Sequence, residues 1–201
     1  MSKKKKDKAS AEKILAATLD LAAEAGWDNL RLRNVARELG VPMTAVLSHY
    51  RDLDAVANAW FTQGLAAMLA PVDKGFHDLP PKERVRLLML RWFDALAPHR
   101  ETTAAMLAGK MYPFHPHHWV PMVFDLSRLI HWLRDAAGLD AGGRQKQAEE
   151  IALSALFVAT LAVWCSDGSE DQARTRAFLD KRLAHGDRFM AALFGAKKEA
   201  A

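Results

Sequence analysis

Apolar residues recur three and four positions apart along nearly the whole chain, and alternating β-branched runs bounded by turn residues are absent. This pattern predicts an all-α protein of about nine helices. In the first, Ile14, Leu15, Thr18, Leu19 and Ala22 share one face, Ser10 stands at the N-cap position and Gly26 suits the C-terminal end. Short helices follow at roughly 31–39 and 42–48, then a longer one at roughly 52–70. Pro71, Gly75 and the Pro80-Pro81 pair interrupt the pattern, which predicts a headpiece over residues 1–70 and a helical body over 71–201. Body helices are expected near 81–97, 101–110, 118–137, 144–166 and 170–194, with YPFHPHH as an irregular connection and Gly138 and Gly142-Gly143 as punctuation.

Two of these helices carry more apolar surface than one core requires. Ile151, Leu153, Leu156, Phe157, Thr160, Leu161 and Trp164 spread over two faces, and Phe178, Leu179, Leu183 and Phe189 line the last helix. A homodimer through this pair is therefore expected.

Charge changes the picture less than its total suggests. The first eight residues, MSKKKKDK, hold five lysines and one aspartate, a net of +4 that equals the net charge of the whole chain. The remainder is neutral, so a nucleic-acid reading has to rest on the arm, which suits either phosphate contact or a solvated tail. The single cysteine, Cys165, excludes an internal disulfide, fits a reducing compartment and reads as a small buried apolar side chain. No apolar run approaches the roughly 18 residues of a membrane span, and the N-terminus lacks the apolar stretch of a secretory signal, so a cytoplasmic location is expected.

Within the headpiece, Ala36, Gly40 and Val46 supply what a helix-turn-helix needs: a small residue where the helices touch, a residue tolerant of a left-handed turn, and an apolar residue docking the second helix. Leu32, Val35 and Leu39 on one side, and Val41 with Leu47 or Tyr50 on the other, close a small core. With Gly26-Trp27 before it, LRNVARELGV within it, and the His49-Tyr50 corner and RDLDAV after it, this region resembles the TetR family of ligand-responsive repressors. The resemblance implies a recognition helix at 42–48 in the major groove and a homodimer presenting two such helices at half-sites about one helical turn apart. The DNA-contacting candidates are Lys3, Lys4, Lys5 and Lys6 of the arm, Arg33 on phosphate, Thr44 and Ser48 at base edges, and Met43, His49, Tyr50 and Arg51 around them.

Departures from that family bear on the same surface. Met43, Leu47 and Leu53 stand where a lysine, a tyrosine and a lysine are frequent, and between Trp27 and Trp60 four arginines face four acids. Tyr50 also reads as packing the corner and Arg51 as solvated.

Residues 157–183, FVATLAVWCSDGSEDQARTRAFLDKRL, are similar to another TetR-fold group, the lipid-binding accessory proteins of coenzyme Q biosynthesis. The TL..W segment, the acidic SDGSED turn and AFLDKRL carry this second resemblance. It implies a dimeric, non-enzymatic helical protein holding an isoprenoid or similar lipid, with DNA binding lost.

Met89, Trp92, Phe93, Met106, Met111, Phe114, Trp119, Met122, Trp132, Phe157 and Trp164 either line a cavity for a hydrophobic small molecule or lipid, or fill the core. Family resemblance favours a ligand, held between the helices near 81–97, 101–110 and 118–137. His115, His117 and His118 flank Pro116 without the facing geometry of a metal site, while His99, His131 or one of the three suits a polar anchor. No Ser-His-Asp order, glycine-rich phosphate loop or catalytic carboxylate pair is present, so neither catalysis nor a cofactor is expected. Two readings remain: a repressor that binds a palindromic operator and is released by a hydrophobic ligand, or a lipid carrier with a vestigial headpiece.

Overall fold

The computed structural model describes residues 10–111 and 116–194, apart from the side chains at 116–119, 187, 189–191 and 193. The helices are α1 Ala11–Ala25, α2 Leu32–Glu38, α3 Met43–Leu47, α4 Leu53–Met68, α5 Pro81–Leu96, α6 Arg100–Lys110, α7 Pro116–Ala136, α8 Gly143–Cys165 and α9 Ala173–Phe194. No strand occurs among the described residues, so the fold class is all-α as the periodicity predicts. α7 begins at Pro116 and takes in part of the stretch expected to be irregular; proline suits a first helical turn, where its missing N–H has no intrahelical partner to lose.

The chain forms two compact units, one comprising residues up to Gln63 with Pro98–Trp119, the other Gly64–Ala97 with the residues from Val120 onward. The grouping differs from a division at residue 70, because α6 goes with the headpiece helices. Buried polar contacts are the reason. The Trp60 indole N–H donates to Thr103 Oγ1 at 2.8 Å, and Thr103 donates in turn to the His99 carbonyl at 2.7 Å. Lys110 Nζ, at the end of α6, donates to the Asp54 carboxylate and to Asn58 Oδ1 at 2.8 Å. A periodic apolar pattern carries no trace of such pairings.

In the first unit, Ser10 caps α1 by accepting a hydrogen bond from the Lys13 amide at 3.3 Å, and Ile14, Leu15, Thr18, Leu19 and Ala22 are buried together. In the second, α5 contributes Val85, Leu88, Met89, Trp92, Phe93 and Leu96 to the core, α8 contributes Leu153, Phe157, Thr160 and Trp164, and α9 contributes Leu179. The opposite side of α8 is uncovered: Ile151 is 71% and Val158 49% exposed, with Ala155 between them. That two-sided character corrects one expectation, since an 18-residue window of α8 has a mean hydropathy of 1.6 and the helix is long and apolar enough, by length and composition, to cross a membrane. Cys165, expected to be buried, is half-buried at the end of this helix.

Candidate nucleic-acid interface

The turn between α2 and α3 follows from three residues. Gly40 has φ of 62°, in the left-handed region where a side chain is strained, and this lets the Val41 amide reach back to the Ala36 carbonyl at 3.0 Å. Val46, fully enclosed, then docks α3 against Val35 and Ala36, which are themselves buried. Since successive helical residues lie about 100° apart around the axis, burying Val46 turns Leu47 toward solvent. Leu47 is 62% exposed and Met43, one turn earlier, is 48% exposed.

Of the two residues expected to complete this small core, the structure selects Tyr50. Its ring is buried and its hydroxyl donates to the Ala11 carbonyl at 3.1 Å, joining the corner to the start of α1. Burial and the nearby Glu12 carboxylate push the phenol pKa up, so it persists as a neutral donor. Of the two readings of Tyr50, this geometry fits the one in which it packs the corner, with its hydroxyl proton engaged by Ala11.

The remaining described candidates are exposed. Met43, Thr44, Ser48 and His49 are all open to solvent, as is Arg33 near the start of α2. The Ser48 hydroxyl donates to the Ala45 carbonyl at 2.8 Å, leaving its lone pairs to accept. Arg51 pairs with Asp52 at 3.0 Å, both largely solvated, a contact weak enough for a phosphate to displace. Lys3, Lys4, Lys5 and Lys6 lie outside the described residues. Sequence reasoning placed Leu47 on this surface only as a departure from the family pattern, or as a residue closing the small core; its exposure follows from its position next to the docking Val46.

The ligand-binding candidates separate. Met89, Trp92, Phe93 and Trp164 are buried in the second unit. Phe157 stacks on Phe93 at 5.5 Å and meets Trp92 edge-on at 5.1 Å, while Trp164 lies 5.7 Å from Phe93. These side chains fill space against one another. Trp92 also approaches Gly64 so closely that a Cβ there would meet its indole nitrogen at 2.8 Å, and that nitrogen has no acceptor among the described residues. Met106 is buried in the first unit, Met111 and Trp132 are largely exposed, and Met122 is half-buried. Phe114 and His115 lie outside the described residues, as do the side chains of Trp119, His117 and His118. Two depressions, of about 300 and 350 Å³, are lined mainly by charged and small residues, among them Arg86 and Asp180 in one and Lys13 and Asp20 in the other, and touch none of these candidates.

The acidic stretch after Trp164 forms a hydrogen-bonded corner between α8 and α9 that is tied to Asp94 of α5. Asp167, with no exposed surface, accepts hydrogen bonds from the amides and hydroxyls of both Ser169 and Thr175. Burial pushes the carboxyl pKa up, but these four donors outweigh it and hold the group well below the usual carboxylate range. The Trp164 indole N–H donates to Gln172 Oε1, and Gln172 Nε2 donates to Asp94 at 2.8 Å, where Arg176 joins at 2.7 Å. Asp171 and Gln172 take φ of 48° and 56°, a costly backbone that these contacts maintain.

A second helix docked through Val46, with its other face exposed, defines a helix-turn-helix protein of the regulator type. Among solved structures, the chain is similar to a TetR transcriptional regulator from Nitrosomonas europaea ATCC 19718, at 31% identity over 89% of this chain and 98% of that one, with a TM-score of 0.79. The chain thus belongs to the TetR family of transcriptional regulators. The fold is shared with a TetR transcriptional regulator from Rhodococcus sp. RHA1, at 18% identity over 86% and 92% of the two chains and a TM-score of 0.63. A TetR-like regulator from the same organism matches at 20% identity over 90% and 97%, with a TM-score of 0.56. The COQ9 family model matches residues 149–190. Comparison with curated proteins gives no significant match.

Proposed function

We propose that the protein is a cytoplasmic, dimeric repressor whose α3 helices read a palindromic operator and which a hydrophobic ligand releases. The exposed face of α3, held outward by Val46, Ala36 and Tyr50, carries this reading. Thr44 and Ser48 are its polar base contacts, Arg33 and Arg51 its phosphate contacts, and the arm lysines supply the positive charge that the neutral headpiece lacks. The uncovered stripe Ile151, Ala155 and Val158 on α8 supports dimerisation.

Selection of fragments bound by the purified chain from random DNA tests the proposal. A recovered palindrome is the expected result, and deletion of residues 1–8 should weaken binding to all sequences alike. Failure to enrich any sequence, with copurifying lipid removed, overturns it.

The COQ9 match favours a second reading, a lipid carrier whose headpiece no longer contacts DNA. The matched segment includes the α8–α9 corner, where Asp167 accepts from Ser169 and Thr175 and the Trp164 indole donates to Gln172. Stoichiometric isoprenoid in native mass spectra, together with absent operator selection, would favour the carrier.

A further inference from the structure

The outer face of α3 poses a problem that phosphate contact does not solve. Met43 and Leu47 are large apolar side chains, 48% and 62% exposed, one helical turn apart and flanked by Thr44 and Ser48. α3 itself contains no charged residue. An isolated exposed leucine needs no explanation, but two on the face that would meet the floor of a groove constrain what the groove must offer. The major groove presents one apolar group of any size, the C5 methyl of thymine, while purines offer only hydrogen-bond donors and acceptors there and cytosine a bare C5–H beside its amino group. Placing Met43 or Leu47 over guanine or adenine would desolvate such groups without returning a hydrogen bond.

The geometry points to thymine methyls as the partners of Met43 and Leu47, a specificity that rests on the operator-binding reading above. Four residues of helix rise about 6 Å, and base pairs rise about 3.4 Å, so where α3 runs along the groove the two thymines lie about two steps apart in each half-site. The nearby polar groups complement this: Ser48 has its proton engaged by the Ala45 carbonyl and accepts, which suits the N6 amino group of adenine or the N4 amino group of cytosine. An arginine or lysine in α3 would instead select guanine.

Deoxyuridine tests the assignment, because it keeps the O4 acceptor of thymine and removes only the methyl. Once a half-site has been selected, its thymines are replaced one at a time by deoxyuridine and binding is measured for the full chain and for Leu47→Ala and Met43→Ala. Loss of roughly threefold to fivefold at each of two positions is expected, the scale of one buried methyl. Leu47→Ala should abolish the difference at one position and Met43→Ala at the other. Because both side chains are exposed, the variants should fold, which a melting curve checks. Specific binding that tolerates deoxyuridine everywhere overturns the thymine assignment and leaves the operator reading standing. A selected half-site with guanine under these positions does the same. Absence of any selected sequence overturns both.

Discussion

Met43 and Met89 are the same side chain put to opposite use. Met89 is wholly enclosed beside the aromatic cluster of α5 and α8, whereas Met43 stands half in solvent on a five-residue helix. Both regions are apolar by composition and both repeat at helical spacing. What separates them is register against a neighbour: α5 has enough residues to seat one face fully, while α3 is so short that docking Val46 leaves its other side with nothing to pack on. In α3 the apolar side chains beside Val46 are therefore left to an interface, whereas in α5 most of them are spent on the core.

The sharpest way to break this comparison is to empty the enclosed side. Phe93→Ala should cost about 3–5 kcal/mol in urea unfolding, as expected where an aromatic ring fills space and its neighbours cannot collapse into the void. A cost below about 1 kcal/mol would mean that these rings line a cavity instead. Next in size, Asp167→Asn should cost about 2–3 kcal/mol, since the amide cannot accept all four hydrogen bonds that the carboxylate accepts. Its sign with pH follows from a folded-state pKa below the unfolded one: the stabilisation is complete above the unfolded carboxyl's range, near pH 4, and fades as pH falls below it. Wild-type and variant unfolding curves should therefore converge in acid. A gap that stays constant from pH 7 to pH 3 would place the effect in shape and not in charge. Smallest of all, Leu47→Ala should leave stability within about 0.5 kcal/mol. A loss above 1 kcal/mol would place Leu47 in the headpiece core and erase the contrast with Met89.

Much of the fold was legible because it rests on spacing. The buried face of α1, the Ser10 cap and the Ala36, Gly40 and Val46 set each depend on residues within a turn or two of one another, and each stands where the pattern puts it. Whether Leu47 or Tyr50 closes the headpiece core was not legible, because both fit by hydrophobicity. The choice turns on the Tyr50 hydroxyl reaching Ala11, a partner 39 positions away. The grouping of α6 was hidden for the same reason: Thr103 and Lys110 look like surface residues until Trp60, Asp54 and Asn58 are brought to them. The aromatic residues of the body announced a hydrophobic interior, but spacing does not distinguish rings that face a void from rings that face each other. On the candidate interface, the polar residues and Met43 were legible as a set, while Leu47 fitted either that surface or the small core until Tyr50 filled the core place.

The contacts that hold the headpiece and those it would offer to DNA differ in their access to dissolved ions. Lys110 is about 7% exposed where it meets Asp54, and Tyr50 bonds to Ala11 from a buried ring. Arg33, Arg51 and His49 stand in solvent. Mobile ions screen exposed charges over a Debye length of about 8 Å at 0.15 M and act far less on enclosed ones. Ionic strength is therefore a lever that moves one set without the other. The slope of log affinity against log salt should count phosphate contacts, at about 0.9 apiece, on a headpiece that stays folded across the titration.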